Sequence, residues 1–137
     1  MKEKFSWKPE YSVGVATVDQ QHQELFKIFN RLYAAVTEKK TPKAAAATMH
    51  EMSKYLGEHF NFEEPLIEKH PDFDTHHLEH LNFVENTLDF QIRFAEQDKD
   101  LHMDMLKFLA DWLKNHILEM DKEHFAYLQE HKLLNNN

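Results

Sequence analysis

The chain of 137 residues contains no cysteine. That excludes disulfides, thiolate metal sites, iron–sulfur clusters and a cysteine nucleophile. It has only 2 glycines and 4 prolines, too little turn chemistry for a sandwich or barrel of many short strands. No stretch approaches the roughly 18 consecutive apolar residues of a membrane span. Positive charge is short: 16 Lys and Arg against 24 Asp and Glu give a net charge of -8. A chain this acidic is a poor partner for nucleic acid or anionic membrane. The N-terminal segment from Met1 to Glu10 lacks the apolar core of a signal peptide and reads as mature cytoplasmic protein. The length suits one domain, residues 1–137, able to bury a core unaided. Histidine, by contrast, is abundant, with 11 residues. It is the commonest protein ligand for transition metals, so its placement decides where function is sought.

Residues 1–17 form an arm carrying Phe5, Trp7, Pro9, Tyr11, Val13, Gly14 and Val15. We read it as extended and packed through its aromatics. Four helical patterns follow, over approximately 18–39, 42–69, 73–97 and 99–131. In the first, His22, Leu25, Phe26, Phe29, Leu32, Tyr33 and Val36 recur with a 3.6-residue period, and Thr17 with Gln20 fits a capping box. Thr41-Pro42 supplies a cap and a first-position proline for the second. Its seam is Ala45, Met49, Met52, Leu56, His59, Glu63 and Leu66, with Pro65 expected to cost it a hydrogen bond or a kink. The third begins near Asp72–Asp74 and shows Phe73, His76, His80, Phe83, Val84, Leu88, Ile92 and Ala95. The fourth shows Leu101, Met105, Phe108, Leu109, Trp112, His116 and Met120. Short connections between long helices make antiparallel neighbours. The expected fold is all-α, an up-down-up-down antiparallel four-helix bundle with an extended N-terminal arm. Asn135-Asn136-Asn137 reads as a frayed tail.

Histidine interrupts the inward stripe of every helix. His22 lies on the first. The second carries His59-x3-Glu63, the third His76-x3-His80, and the fourth His116-x4-Asp121. Residues spaced i,i+4 stack on one helical face, about 5–6 Å apart, and reach one site. His116 and Asp121 are about 140° apart on a regular helix, so they share a site only if it is wide or a π-bulge intervenes. A lone inward histidine is ordinarily a hydrogen-bonded core imidazole. Glu63 is harder to explain so, because an unpaired buried carboxylate costs several kcal/mol and no inward Lys or Arg is there to pair it. Five histidines and two carboxylates spread over all four helices point to metal. Imidazole and carboxylate without thiolate suit Fe, Mn, Zn or Cu. Two octahedral ions offer about twelve positions. Five imidazoles, two bridging carboxylates and one solvent bridge leave one of them open for a small ligand.

These residues, in this order, resemble the hemerythrin family, in the form of the single-domain bacteriohemerythrins. The resemblance covers nearly the whole chain: Val18-Asp-Gln-Gln-His22, the three ligand pairs, the Trp7 arm and the Tyr11-Ser-Val-Gly-Val15 segment. It implies two iron ions, oxo- or hydroxo-bridged, with His76, His80 and His116 on the saturated iron. His22 and His59 would hold the iron with the open position, and Glu63 and Asp121 would bridge both. It further implies reversible O2 binding for storage, transport or delivery, with O2 held as hydroperoxide, and no enzymatic activity. Azide and nitric oxide are further small ligands of such a centre. Candidate pocket-lining residues, one turn from the ligands, are Phe26, Phe60, Phe62, Trp112, Leu113 and Ile117.

Three other readings compete. A ferritin-like diiron enzyme acting on O2, peroxide or nitric oxide would use Glu-x-x-His pairs, and the chain has none. An O2-sensing module would need an output segment. A zinc-filled bundle is allowed by the affinity of His-rich sites for zinc and copper. His50, His70, His77, His102, His124 and His131 are expected at the surface, with His124 near enough to Asp121 to support a ligand from behind. With the apolar stripes used inside the bundle, the chain is expected to be a monomer, Phe90 and Phe94 being a candidate contact patch.

Overall fold

A computed structural model describes residues 5–38 and 41–134. The helix end expected at Lys39 and the tail at Asn135–Asn137 lie outside the described residues. Helix α1 spans Ala16–Thr37, α2 Pro42–Ile67, α3 Phe73–Ala95, α4 Leu101–Asn115 and α5 Lys122–Glu130. A π-helical stretch, His116–Asp121, joins α4 to α5, so these three pieces form the fourth rod of the bundle. Each rod packs on the next in sequence and α4 closes the ring against α1. The start of α1, the end of α2 and α5 meet in one apolar cluster: Val18, Leu66, Ile67, Phe125 and Leu128. This is what an up-down-up-down bundle requires. No helix among the described residues is long and apolar enough to cross a membrane.

The helix ends show how local chemistry sets the boundaries. Thr41 caps α2 by accepting from the Ala44 N–H at 3.2 Å, and Pro42 follows as the first helical residue. The capping box at Thr17 does not form. Helix α1 begins two residues earlier than expected, at Ala16, behind Val15 with no side-chain cap. Asp19, in its first turn, instead accepts from Ser12 Oγ at 2.5 Å and from the Val13 N–H at 2.9 Å, tying the arm to the helix. Gly14 lies in this turn at φ 81°, which favours glycine, and the amide end of Gln129 comes within 2.6 Å of where a Cβ would stand. With so little glycine, α3 and α5 end on Gln97 and Lys132, each at φ 57°. The Asp98 and Leu133 N–H groups then satisfy carbonyls of the last turns. Pro65 lies inside α2, which continues to Ile67.

The arm packs through Phe5, Trp7 and Tyr11, all against Phe26. Between its aromatics Pro9–Tyr11 turns as a short 3-10 segment. Helix α3 departs from expectation in its second half. Its inward residues are His76, His80, Phe83, Thr87 and Phe90, whereas Val84, Leu88 and Ile92 face solvent, Leu88 at 53% and Ile92 at 58% exposure. Phe90 is therefore core, not surface patch. Phe94, at 40%, does remain exposed.

Candidate metal centre

Four elements bring the cluster together. His22 projects from the second turn of α1, His59 and Glu63 from the last third of α2, and His76 and His80 from the first two turns of α3. His116 and Asp121 open and close the π-helical stretch. The wider π turn removes the angular offset that separates them on a regular helix, and Asp121 replaces Met120 as the inward residue. All seven are buried, with His22, Glu63, His76 and Asp121 fully so. The cluster lies between the small apolar cluster and the larger one, which contains Leu25, Phe29, Leu56 and Leu106.

Their ligand atoms fall into two overlapping groups: His76, His80, His116, Glu63 and Asp121 in one, His22, His59, Glu63 and Asp121 in the other. Each carboxylate divides its oxygens between the two. Glu63 Oε1 lies 3.1 Å from His76 Nε2 and 3.4 Å from His80 Nε2, while Oε2 lies 3.1 Å from His59 Nε2. Asp121 Oδ1 lies 2.8 Å from His76 Nε2 and 3.3 Å from His116 Nε2, while Oδ2 lies 3.1 Å from His22 Nε2.

Many of these atoms are near one another without being aligned as hydrogen bonds. Both nitrogens of His22, His59 Nε2, Glu63 Oε2 and both oxygens of Asp121 are buried with no hydrogen-bond partner. Buried polar groups are rarely left so. His80 Nε2 and His116 Nε2 face each other at 3.0 Å. With metal–nitrogen bonds near 2.1 Å, donors on adjacent octahedral positions lie about 3.0 Å apart. The donor set therefore fits a pair of metal ions bridged by both carboxylates.

In the metal-free fold, protons do part of that work. Burial alone would push His22 and His76 down, but the Asp121 and Glu63 carboxylates that face them outweigh it and raise both to about 9. Burial would raise Glu63 and Asp121. For Glu63 the attraction of His59, and after it the proximity of His22, overcome it. For Asp121, which Glu63 raises further, the opposing groups are His116 and His22, and the carboxyl still ends far below its ordinary range.

A second layer orients the imidazoles. His59 Nδ1 pairs with Gln21 Oε1 at 2.5 Å, His80 Nδ1 with Glu64 Oε2 at 2.7 Å, and His76 Nδ1 with His124 Nδ1 at 2.7 Å. Such partners fix the ring and its tautomer. Phe60 stacks on His80 at 3.8 Å and Trp112 on His116 at 4.3 Å. Phe26, Leu113 and Ile117 are buried in the larger apolar cluster. Phe62 is 39% exposed and does not line the site.

Two histidines expected at the surface are buried, His70 and His124. Their rings stack at 3.8 Å, and burial together with the charge on His76 pushes His124 down to about 4. His70, Asp72 and His124 are close enough to form a third ligand group. The hydrogen bonds argue against that use. His70 Nδ1 accepts from the Asp72 N–H at 2.9 Å. His124 Nδ1 must accept from His76 once His76 Nε2 faces a metal. Both Nε2 atoms then carry protons, and the group serves His76 from behind. Sequence reasoning missed Gln21 and Glu64. The available signal was their position beside ligands, Gln21 before His22 and Glu64 after Glu63.

Fold and cluster together define a class: a four-helix bundle with a buried histidine–carboxylate centre able to hold metal. The family model of the hemerythrin HHE cation binding domain matches residues 13–128. A bacteriohemerythrin of Clostridium acetobutylicum is 32% identical over 127 residues, covering 88% of this chain and 98% of its own. One of Stenotrophomonas maltophilia is 28% identical over 127 residues, covering 91% and 82%. The crystal structure of a hemerythrin mutant superposes with a TM-score of 0.77 at 27% identity, over 89% of this chain and 95% of that one. The chain belongs to the hemerythrin family.

Proposed function

We propose that this protein binds O2 reversibly at a non-heme diiron centre, as a store or carrier and not as an enzyme. The observation that supports this most is the division of the Glu63 and Asp121 oxygens between two groups of unequal size. Both groups share the two carboxylates, but one adds three imidazoles and the other two. With His76, His80 and His116 on one iron and His22 and His59 on the other, the second iron lacks one protein ligand. The iron pair, when bound, supplies the electrons that O2 takes up on binding.

The chain's own residues do the rest. Glu63 and Asp121, shared by both ligand groups, would hold the two ions together. Gln21, Glu64 and His124 hold His59, His80 and His76 in orientation. Phe60 and Trp112 cover the rings of His80 and His116 and limit access of water and protons. Five imidazoles to two carboxylates favour reversible binding over oxygen activation.

The test is an absorption spectrum of the iron-loaded protein, reduced with dithionite, exposed to air, then returned to argon. Charge-transfer bands that form in air and fade under argon, with about two irons per chain, are expected. Irons that oxidise and never return would replace this reading with a redox enzyme.

A further inference from the structure

The bundle end remote from the metal cluster holds a cavity of about 310 Å³ between α2, α3 and the start of α4. Native cores keep few voids larger than a water molecule, and ligand pockets begin near 300 Å³. Met49, Phe90, Leu101 and Met105 give it apolar walls, and Ala46 leaves room at one side. The space opens outward past the exposed His50 and Gln91.

One polar atom in this lining is unaccounted for. Thr87 Oγ1 donates to the Val84 carbonyl at 2.7 Å. His102 Nε2, on the first turn of α4, is buried and has no partner. Apolar walls with one orphaned polar atom describe the complement of an amphiphile. Its head must suit a buried imidazole nitrogen that has no hydrogen-bond partner. A hydroxyl does so in either tautomer, because it both donates and accepts. The surroundings argue against an acid. Asp98, Asp100 and Asp104 crowd this end, and Arg93 is taken up by Asp98 and Asp104, each at 2.7 Å.

We propose that this cavity binds a neutral, largely apolar alcohol or phenol of about ten non-hydrogen atoms, its hydroxyl bonded to His102 Nε2.

The test is calorimetric titration of the metal-loaded protein with 1-octanol, and with sodium octanoate at pH 8. Saturable 1:1 binding of octanol is expected. Octanoate should bind at least about tenfold more weakly, and His102→Leu should weaken octanol by about tenfold, the equivalent of one hydrogen bond. Ala46→Phe, which fills the cavity from its wall, should abolish binding while metal content and thermal midpoint stay unchanged. If Ala46→Phe fails to fold, the His102→Leu titration decides alone. No saturable binding, undiminished binding in a folded Ala46→Phe, undiminished binding in His102→Leu, or octanoate binding as tightly as octanol would each overturn the proposal.

Discussion

The two ends of the bundle are built on opposite principles. At one end seven buried polar residues fill the space where core side chains would stand, and several of their atoms have no hydrogen-bond partner. At the other, Leu32, Met52, Leu101, Met105 and Leu106 are apolar and buried to 0–2% exposure. The same four helices thus carry one end that folds by excluding water and one whose groups are fully matched only by an ion. The apolar end gives the polar end its rigidity. The polar end draws its ligands from four separate rods.

The largest effect that separates the ends is removal of a shared carboxylate. Glu63→Ala takes one ligand from both groups at once and should lower bound metal from two ions per chain to one or none, measured as metal content after dialysis. Retention of two ions would remove Glu63 from the bridge. The pH dependence of the metal-free protein sharpens the same point. His22 and His76 are raised from 6.5 to about 9, so their contribution is complete below about 6.5 and lost as pH rises through 9. Glu63 and Asp121 are depressed below their ordinary 4.5 and 3.8, so their contribution is present above those values and lost in acid. Metal-free protein should be most stable between about pH 4.5 and 6.5. Metal-loaded protein should gain stability from pH 6.5 to 9, because metal must displace the same protons. Parallel melting curves over that range would show that these protons are not the metal's competitors.

The next largest effect belongs to the apolar end. Leu106 is fully buried in the larger cluster, and Leu106→Ala should cost about 2–5 kcal/mol, read by denaturant unfolding. Metal content should stay at the wild-type value. If metal is lost as well, the ends are one cooperative unit and the contrast between them fails.

A smaller effect lies one layer behind the ligands. Glu64 accepts from His80 and His77, and those bonds hold its carboxyl below the usual range against a partial burial that would raise it. Glu64→Ala should weaken metal about 10–100-fold in a chelator competition, with the fold unchanged by circular dichroism. A wild-type affinity would show that His80 is held in place by Phe60 stacking alone.

What could be read from sequence follows the same division. The i,i+4 pairs made the ligand end legible, since each is visible within five residues. For the His116–Asp121 pair the spacing allows either a wide site or a π turn, and only the structure shows that the π turn brings them together. Gln21, Glu64 and His124 contact ligands across 16 to 48 residues of sequence; their positions near ligands hint at a supporting role, but only the fold shows which ligand each supports. The Thr17 motif does not cap α1; Asp19 instead binds the arm, a tertiary contact outside the reach of local pattern.

Helix α3 shows the limit of periodicity most plainly, and it yields the smallest effect. It carries two apolar stripes. One runs through Phe83 and Phe90, the other through Leu81, Val84, Leu88 and Ile92, and both satisfy helical spacing. Thr87 lies inward between Phe83 and Phe90, so the true core face reads as the more polar one. Leu88, half exposed, should then tolerate Leu88→Ser within about 0.5 kcal/mol, measured at low protein concentration. The inward assignment and the monomer are tested together by this one substitution. A loss well above 1 kcal/mol that persists on dilution would mean that Leu88 packs inward. A loss that vanishes on dilution would mean that a second chain covers it.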